Sequence, residues 1–416
     1  MYLFNELLMS VPLVIYVAWR LRTLIARPAW RNISTILMVL LAAGYPAAES
    51  LSHGTIGGAL KLLVLAGYYA LPFVLYFTMT VLLTDLVVAI LRLSKAVTRE
   101  TVRSDKFRLR RLAFVLSVPV LVVAAGIVNA NVLRVHEYTV EVPRRSSTLR
   151  EMKIVFAADL HLGTMTSKGW LARFVDKVNA QKPDIVLIGG DIREGHRGEA
   201  DLGAIEAQFR RLEARYGVFA VPGNHEGYAG TTGEFFDRSR IRFLQDELAT
   251  IDGTFILVGR RDARRGTRES VDDLLRKVLD SLPVILLDHR PTDMEAVSRT
   301  RVDLQLSGHT HHGQLFPINF VTQLEYGLSW GHRKTGNTHF IVTSGAQLWG
   351  PPVRTVGASE IVVVHVLFRD SPLPAPGPGL ARTGTAGLQH RHCQAGGKPG
   401  PGLAKTGTGK PGPGIF

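Results

Sequence analysis

The stretch LSGHTHHGQLFP, residues 306 to 317, puts His309, His311 and His312 within four positions. Imidazole serves as a metal ligand, a proton carrier near neutral pH or a polar filler. The run means chemistry only if other ligands can join it. The chain supplies them at the ends of short apolar runs. KIVFAADLH ends on Asp159 and His161, DIVLIGGD on Asp191, GVFAVPGNHE on Asn224, His225 and Glu226, and VILLDH on His289. These are carboxylates, imidazoles and one amide, with no thiolate. Such an N/O set suits Mn, Fe, Zn or Mg rather than a structural zinc cage. It is also too large for one ion, which points to two.

The elements that must position these residues can be read around them. The apolar runs are β-rich, and the amphipathic stretches Lys168–Ala180, Glu199–Arg215 and Ser270–Leu282 between them read as helices. An α/β domain collects ligands at the carboxyl ends of its strands, where these residues stand. On extended segments Asp159 and His161, or His309 and His311, would point the same way and face one cavity. Glycines before Asp191, Asn224 and His309 would let the backbone turn sharply there. VHEYTVEV, residues 135 to 142, alternates like a half-buried strand, and residues 340 to 368 read as further strands closing the sheet.

Upstream, the apolar runs Leu3–Trp19, Ile33–Ala48, Leu60–Leu91 and Leu112–Asn129 each approach the ~30 Å needed to cross a bilayer core. Two loops between them are basic: one carries Arg20, Arg22, Arg27 and Arg31, the other eight cations from Arg92 to Arg111. Basic loops stay cytoplasmic, so Leu60–Leu91 crosses once, or three times, if both do. Four spans then leave the N-terminus and everything after Asn129 outside the cytoplasm. A break at Pro72 would give five spans and a cytoplasmic domain. The expected division is 1–131 for the spans, 132–369 for the α/β domain and 370–416 for a disordered Pro/Gly-rich tail, in which PGPGLARTGT recurs as PGPGLAKTGT. Asp85 sits inside a span and is expected to snorkel or pair with a lysine near the basic end.

The formal charge of +14 invites a nucleic-acid reading, but its placement argues against one. Residues 1–111 hold 13 Lys/Arg against 5 Asp/Glu, and the tail from Asp370 holds 5 against 1. The excess therefore lies in span-flanking loops and the tail, not on a folded reading surface. No nucleic-acid partner is expected. The single cysteine, Cys393, lies in the tail and builds neither a disulfide framework nor a thiolate cluster.

The five blocks D-x-H, G-D, G-N-H-E, H and G-H-x-H resemble, in order and type, the calcineurin-like metallophosphoesterase superfamily, in particular a bacterial branch anchored by N-terminal membrane spans. The resemblance covers roughly Lys153 to Phe368. It implies a four-layer αββα sandwich behind the helical membrane region. It implies that Asp159, His161 and His311 bind one divalent metal ion, that Asn224, His289 and His309 bind the other, and that Asp191 bridges them. His225 would contact the substrate phosphate and protonate the leaving group, oriented by a carboxylate. The reaction implied is hydrolysis of a phosphate ester, a phosphodiester or pyrophosphate, lipid-linked substrates included, by a metal-bridging hydroxide.

Glu194 stands where the family often has aspartate, and reads as support for a ligand. His312 replaces a glycine common in that branch. It is either solvent-facing or a substrate-binding contact at the pocket rim. The arginines Arg260, Arg261, Arg264, Arg265 and Arg268 form either a solvated loop or a site for phosphate or lipid head groups. His136, His196, His332, His339 and His365 fall outside the blocks and receive no role. The alternatives to a hydrolase are a catalytically silent membrane sensor or scaffold, and a transporter resting on Asp85 alone. No obligate protein partner is evident.

Overall fold

The computed structural model describes residues 2–52, 57–163, 166–167, 169–194, 201–228, 233–262, 268–278 and 281–370, with side chains from Val11 onward. These belong to one unit, Met1–Ser371; the tail reading falls on 371–416, outside the described residues. The chain opens with α1 (Tyr2–Leu24), α2 (Pro28–Leu51), α3 (Gly58–Leu93), the short α4 (Arg99–Arg103) and α5 (Asp105–Ala130). Of these, α2, α3 and α5 are long and apolar enough to cross a membrane. The run around Pro72 is one continuous helix, because α3 passes through that proline without a break. Pro28 opens α2 at a position where its missing N–H costs nothing. Asp85 pairs with Arg20 and Arg111 and accepts a hydrogen bond from Tyr16, so its partners are arginines from α1 and α5 rather than a lysine.

The domain then runs β1 (Leu133–Pro143), β2 (Glu151–Ala157), α6 (Trp170–Ala180), β3 (Ile185–Ile188), α7 (Leu202–Phe209) and β4 (Val218–Ala220). It continues with α8 (His225–Tyr228), α9 (Gly233–Arg238), β5 (Arg242–Phe243), β6 (Glu247–Ile251), β7 (Phe255–Gly259) and α10 (Val271–Arg276). Next come β8 (Val284–Leu287), α11 (Met294–Ser298), β9 (Leu304–Ser307), a 3-10 turn at His311–Gly313 and α12 (Ile318–Tyr326). It closes with β10 (Gly331–Thr335), β11 (Thr338–Val342) and β12 (Ser359–Arg369).

Two six-stranded sheets result, in the orders β1-β12-β2-β3-β4-β5 and β10-β11-β9-β8-β7-β6. Their facing surfaces share one core that includes Ile154, Phe156, Leu187, Leu257, Leu287 and Leu306. The outer face of the first sheet packs on α6, α7 and α9, through Phe174, Val178, Phe209 and Phe235. The outer face of the second packs on α10 and α11, through Leu274 and Val297. The domain is therefore the expected αββα sandwich. Strands β3 and β8 are continuous Val/Ile/Leu runs because helices and the opposite sheet cover both their faces.

Several boundaries differ from the periodic reading. Helix α7 is capped by Asp201 and stops at Phe209, well short of Arg215. Beyond it the side chain of Asn179 takes the Arg211 carbonyl at 2.7 Å and the Glu213 N–H at 3.1 Å, which draws the chain off the helix. Helix α10 is capped by Ser270 and ends at Arg276, ahead of Pro283. Residues 340–368 hold β11 and β12 with a long loop between them, not strands throughout.

Candidate metal centre

The ligand blocks leave β2, β3, β4, β8 and β9 at their carboxyl ends and meet there. Their spacing does not work as an extended segment would have it. Asp159, His161, Asp191, His309 and His311 all have φ between 40 and 70°. Past the strand ends the ladder hydrogen bonds stop, and left-handed turns aim the side chains instead. Such conformations are unusual for residues other than glycine, and their clustering marks a site held by its surroundings. The glycines act by close approach. A Cβ on Gly190 would stand 2.5 Å from the Gly223 nitrogen, and one on Gly308 2.5 Å from Asp159 Oδ2.

The side chains form three overlapping triads. The ligand atoms of Asp159, His161 and His311 all lie within 4.8 Å of one another, as do those of Asp191, His289 and His309, and those of His161, Asp191 and His225 join the two. Asp191 Oδ2 is 3.2 Å from His289 Nε2 and 3.9 Å from His161 Nε2, so it stands between the triads. His161 and His311 face each other with Nε2 atoms 3.1 Å apart. Two imidazoles on one tetrahedral ion at ~2.0–2.1 Å would be separated by roughly 3.3 Å. The donor set and this spacing fit divalent cations.

Electrostatics lead to the same view. Burial disfavours charge on His161, yet Glu194, then Asp191 and Asp159, push it up to about 9. Burial acts likewise on His289, but Asp191 and Asp159 push it up to about 10. Asp159 is raised to about 6, chiefly by burial. In both cases the buried carboxylates favour positive charge beside them, the environment a bound cation would meet. His311, in contrast, is held well below its ordinary range by burial and by the neighbouring His161.

A surrounding layer orients these groups. Glu194 Oε2 lies 2.5 Å from His161 Nδ1, and the Gly189 carbonyl lies 2.7 Å from His289 Nδ1; each contact leaves Nε2 for the site. The buried Glu226 carboxylate accepts from the Gly223, Ile192 and Asp191 N–H groups at 2.6, 2.7 and 2.9 Å, which ties the β3 loop to the β4 loop. Arg290 donates to Asn224 Oδ1 at 3.1 Å and to Asp262 at 2.7 Å, fixing the amide. His225 donates its main-chain N–H to Asp191 Oδ1 at 2.8 Å; its Nδ1 is 3.2 Å from the Glu194 carbonyl, and its ring is edge-on to His161. Half-buried, it stands at the mouth of the site.

Other predicted residues are placed differently. His312 is not solvent-facing: its Nδ1 is 2.9 Å from Ser329 Oγ and its ring packs on Trp330. Burial, then Arg354, lowers its pKa. The described arginines of the cluster do not present a free patch. Arg260 is buried and Arg268 half-buried, and both bind Asp288, the residue before His289, at 2.9 and 3.1 Å. Arg261 lies against Asp246, while Arg264, Arg265 and His196 lie outside the described residues. His136 pairs with Glu360, His365 lies 3.2 Å from Glu137, and His332 stacks on His339.

Two positioning residues were given no role from the sequence, Arg290 and Arg354, while Glu226, counted there among the candidate ligands, instead accepts the three main-chain N–H groups above. Arg290 adjoins His289 in its motif, which was a usable signal. Arg354, fully buried, reaches the His311 carbonyl at 3.2 Å from 43 positions away and the Gln347 carbonyl at 2.9 Å, and nothing local marks it.

Comparison with known proteins agrees with this geometry. The family model described as calcineurin-like phosphoesterase matches residues 152–313. A metallophosphoesterase of Helicobacter pylori is 33% identical over 226 residues, 52% of this chain and 60% of the relative, so the chain spans about three fifths of that protein. One of Campylobacter jejuni is 34% identical over 270 residues, covering 62% of this chain and 70% of the relative. A Danio rerio protein named transmembrane protein with metallophosphoesterase domain is 29% identical over 297 residues, 65% of this chain and 66% of its own. With this site, this sandwich and these relatives, the chain belongs to the calcineurin-like phosphoesterase family.

Proposed function

We propose that the chain is a membrane-anchored hydrolase of phosphate esters, acting on a phosphodiester or pyrophosphate, with lipid-linked substrates in its range. The observation that carries this reading is the pair of ligand triads meeting at Asp191, with His225 beside them at the mouth. Asp159, His161 and His311 would hold one divalent ion, and Asn224, His289 and His309 the other. Such ions, when bound, supply positive charge against the charge that builds on the phosphoryl oxygens. Asp191 keeps the two triads in register. His225, with Nδ1 toward the Glu194 carbonyl, is the group placed to meet the phosphate and hand a proton to the leaving oxygen. His312, whose Nδ1 is held by Ser329, is proposed as a substrate contact farther along the rim.

For the anchor we propose four crossings, with α1 joining α2, α3 and α5, and the domain on the extracytoplasmic side. The uninterrupted α3 and the basic α1–α2 and α3–α5 loops support this arrangement.

The test uses the full chain in detergent with added Mn²⁺ and two probes, bis-p-nitrophenyl phosphate and p-nitrophenyl phosphate. Turnover of at least one, abolished by Asp191→Ala and strongly reduced by His225→Ala, is expected. Undiminished turnover in Asp191→Ala, or none in any divalent metal, overturns the catalytic reading. A reporter fused after Asn131 that works only when cytoplasmic overturns the sidedness.

A further inference from the structure

Helix α12 is the feature that neither the sandwich nor the metal centre explains. It follows the histidine run directly, and it carries Phe320, Val321 and Leu324 exposed at 58, 50 and 87%, with Phe316 just before it at 42%. Its one charged residue is Glu325. Its far end returns to the site, where the Tyr326 ring stands edge-on to the ligand His309. An apolar surface this continuous beside a polar centre calls for a partner.

The partner follows from where the neighbouring residues pack. Leu315 and Val353 share a buried cluster with Tyr76 of α3 and Val123 of α5, and Ile318 packs against it. Val353 also fits against Gly126 of α5, and Gly350 against Tyr45 of α2. The depth of each contact can be counted from the basic end of its helix at ~1.5 Å per residue. Val123 and Gly126 lie roughly 18 and 22 Å from Arg111, Tyr76 about 24 Å from Arg92, and Tyr45 about 21 Å from Arg31. A hydrocarbon core is ~30 Å thick. All three helices thus place the contact below the far boundary of the core, at a level where Leu121 and Val128 of α5 are still exposed apolar residues. A segment packed there meets acyl chains on its free side.

We infer that α12, with Phe316, seats its exposed apolar face in the leaflet on the domain's side of the membrane, so that the metal centre opens at the head-group layer. The occupant is the lipid surface itself. This rests on α2, α3 and α5 being spans.

The experiment places a nitroxide at Leu324→Cys in the full chain, in a Cys393→Ser background, in nanodiscs of phosphatidylcholine and phosphatidylglycerol. Collision with oxygen and with a water-soluble nickel chelate is compared with that of labels at Leu121→Cys and at Arg299→Cys on the domain surface. The expected result is that position 324 matches 121, oxygen-accessible and shielded from nickel. Should 324 match 299, or resist both reagents as a site covered by protein would, the inference fails while the spans stand. A label at 121 that is itself nickel-accessible overturns the spanning reading instead.

Discussion

Glu226→Gln tests how the site is held rather than what it contains. The native carboxylate is buried and accepts three main-chain N–H groups. A glutamine oxygen has two lone pairs, so at least one of those N–H groups must face the new NH2 and lose its partner. An unsatisfied buried donor costs about 1–3 kcal/mol, and neutralising the acceptor of the other two bonds costs about 1 kcal/mol each. The total is roughly 3–5 kcal/mol, reduced by relief of the burial of the charge and of its repulsion with Asp191, which raise the Glu226 pKa in that order. The loss falls on the junction of the Asp191 and Asn224 loops. A supporting group of this kind is typically worth about 10–100-fold in metal affinity. The assay is calorimetric Mn²⁺ titration of the EDTA-stripped full chain, with Tm measured before and after loading. Glu226→Gln should bind Mn²⁺ about 10–100-fold more weakly and gain less Tm on loading, whereas the exposed Glu213→Gln should match wild type. Wild-type affinity and Tm in Glu226→Gln would refute the reasoning.

Three other outcomes are expected. Gly126→Leu drives a Cβ to 2.6 Å from Val353 Cγ1 and 2.9 Å from Thr355 Cγ2, so it should cost about 1–3 kcal/mol, read as lowered Tm of the full chain in detergent. The His136–Glu360 pair should give a pH-dependent stability. Its hydrogen bond to Glu360 raises the His136 pKa, so that contribution is full below about 6.5 and lost as pH rises through the raised value. Glu360 is held low by His136 against its burial, so its contribution is present above about 4.5 and lost as pH falls through the lowered value. His136→Asn should therefore lose more denaturant resistance at pH 6 than at pH 9; an equal loss at both removes the linkage. His312→Ala should shift the ratio of diester to monoester turnover while leaving Mn²⁺ affinity unchanged, and an unchanged ratio assigns His312 to packing with Trp330.

The convergence of the candidate ligands was legible because their types are rare and their order along the chain is specific, and because apolar runs locate strand ends. The long helices were legible from apolar length alone. Short strands such as β5 and β10 were not, since two or five polar-flanked residues carry no period. The left-handed backbone at Asp159 and His161 was also hidden, because ligand type says nothing about φ. Pairing was hidden most of all. Arg260 and Arg268 look like a cationic patch until Asp288 is seen between them, and His312 looks free until Ser329 and Trp330 are beside it.

Arg354 shows how the two halves of the molecule are joined. Its guanidinium binds the carbonyl of the ligand His311, its own N–H donates to Gly126 of α5 at 3.1 Å, and its carbonyl accepts from Asn129 at 3.0 Å. One residue therefore bonds the loop of the histidine run to α5 without an intervening hinge. The N-terminal helices are part of the frame that holds the candidate ligands in place, not a leash. Excising the helices would strip Leu315 and Val353 of their cover and remove the Gly126 and Asn129 partners of Arg354.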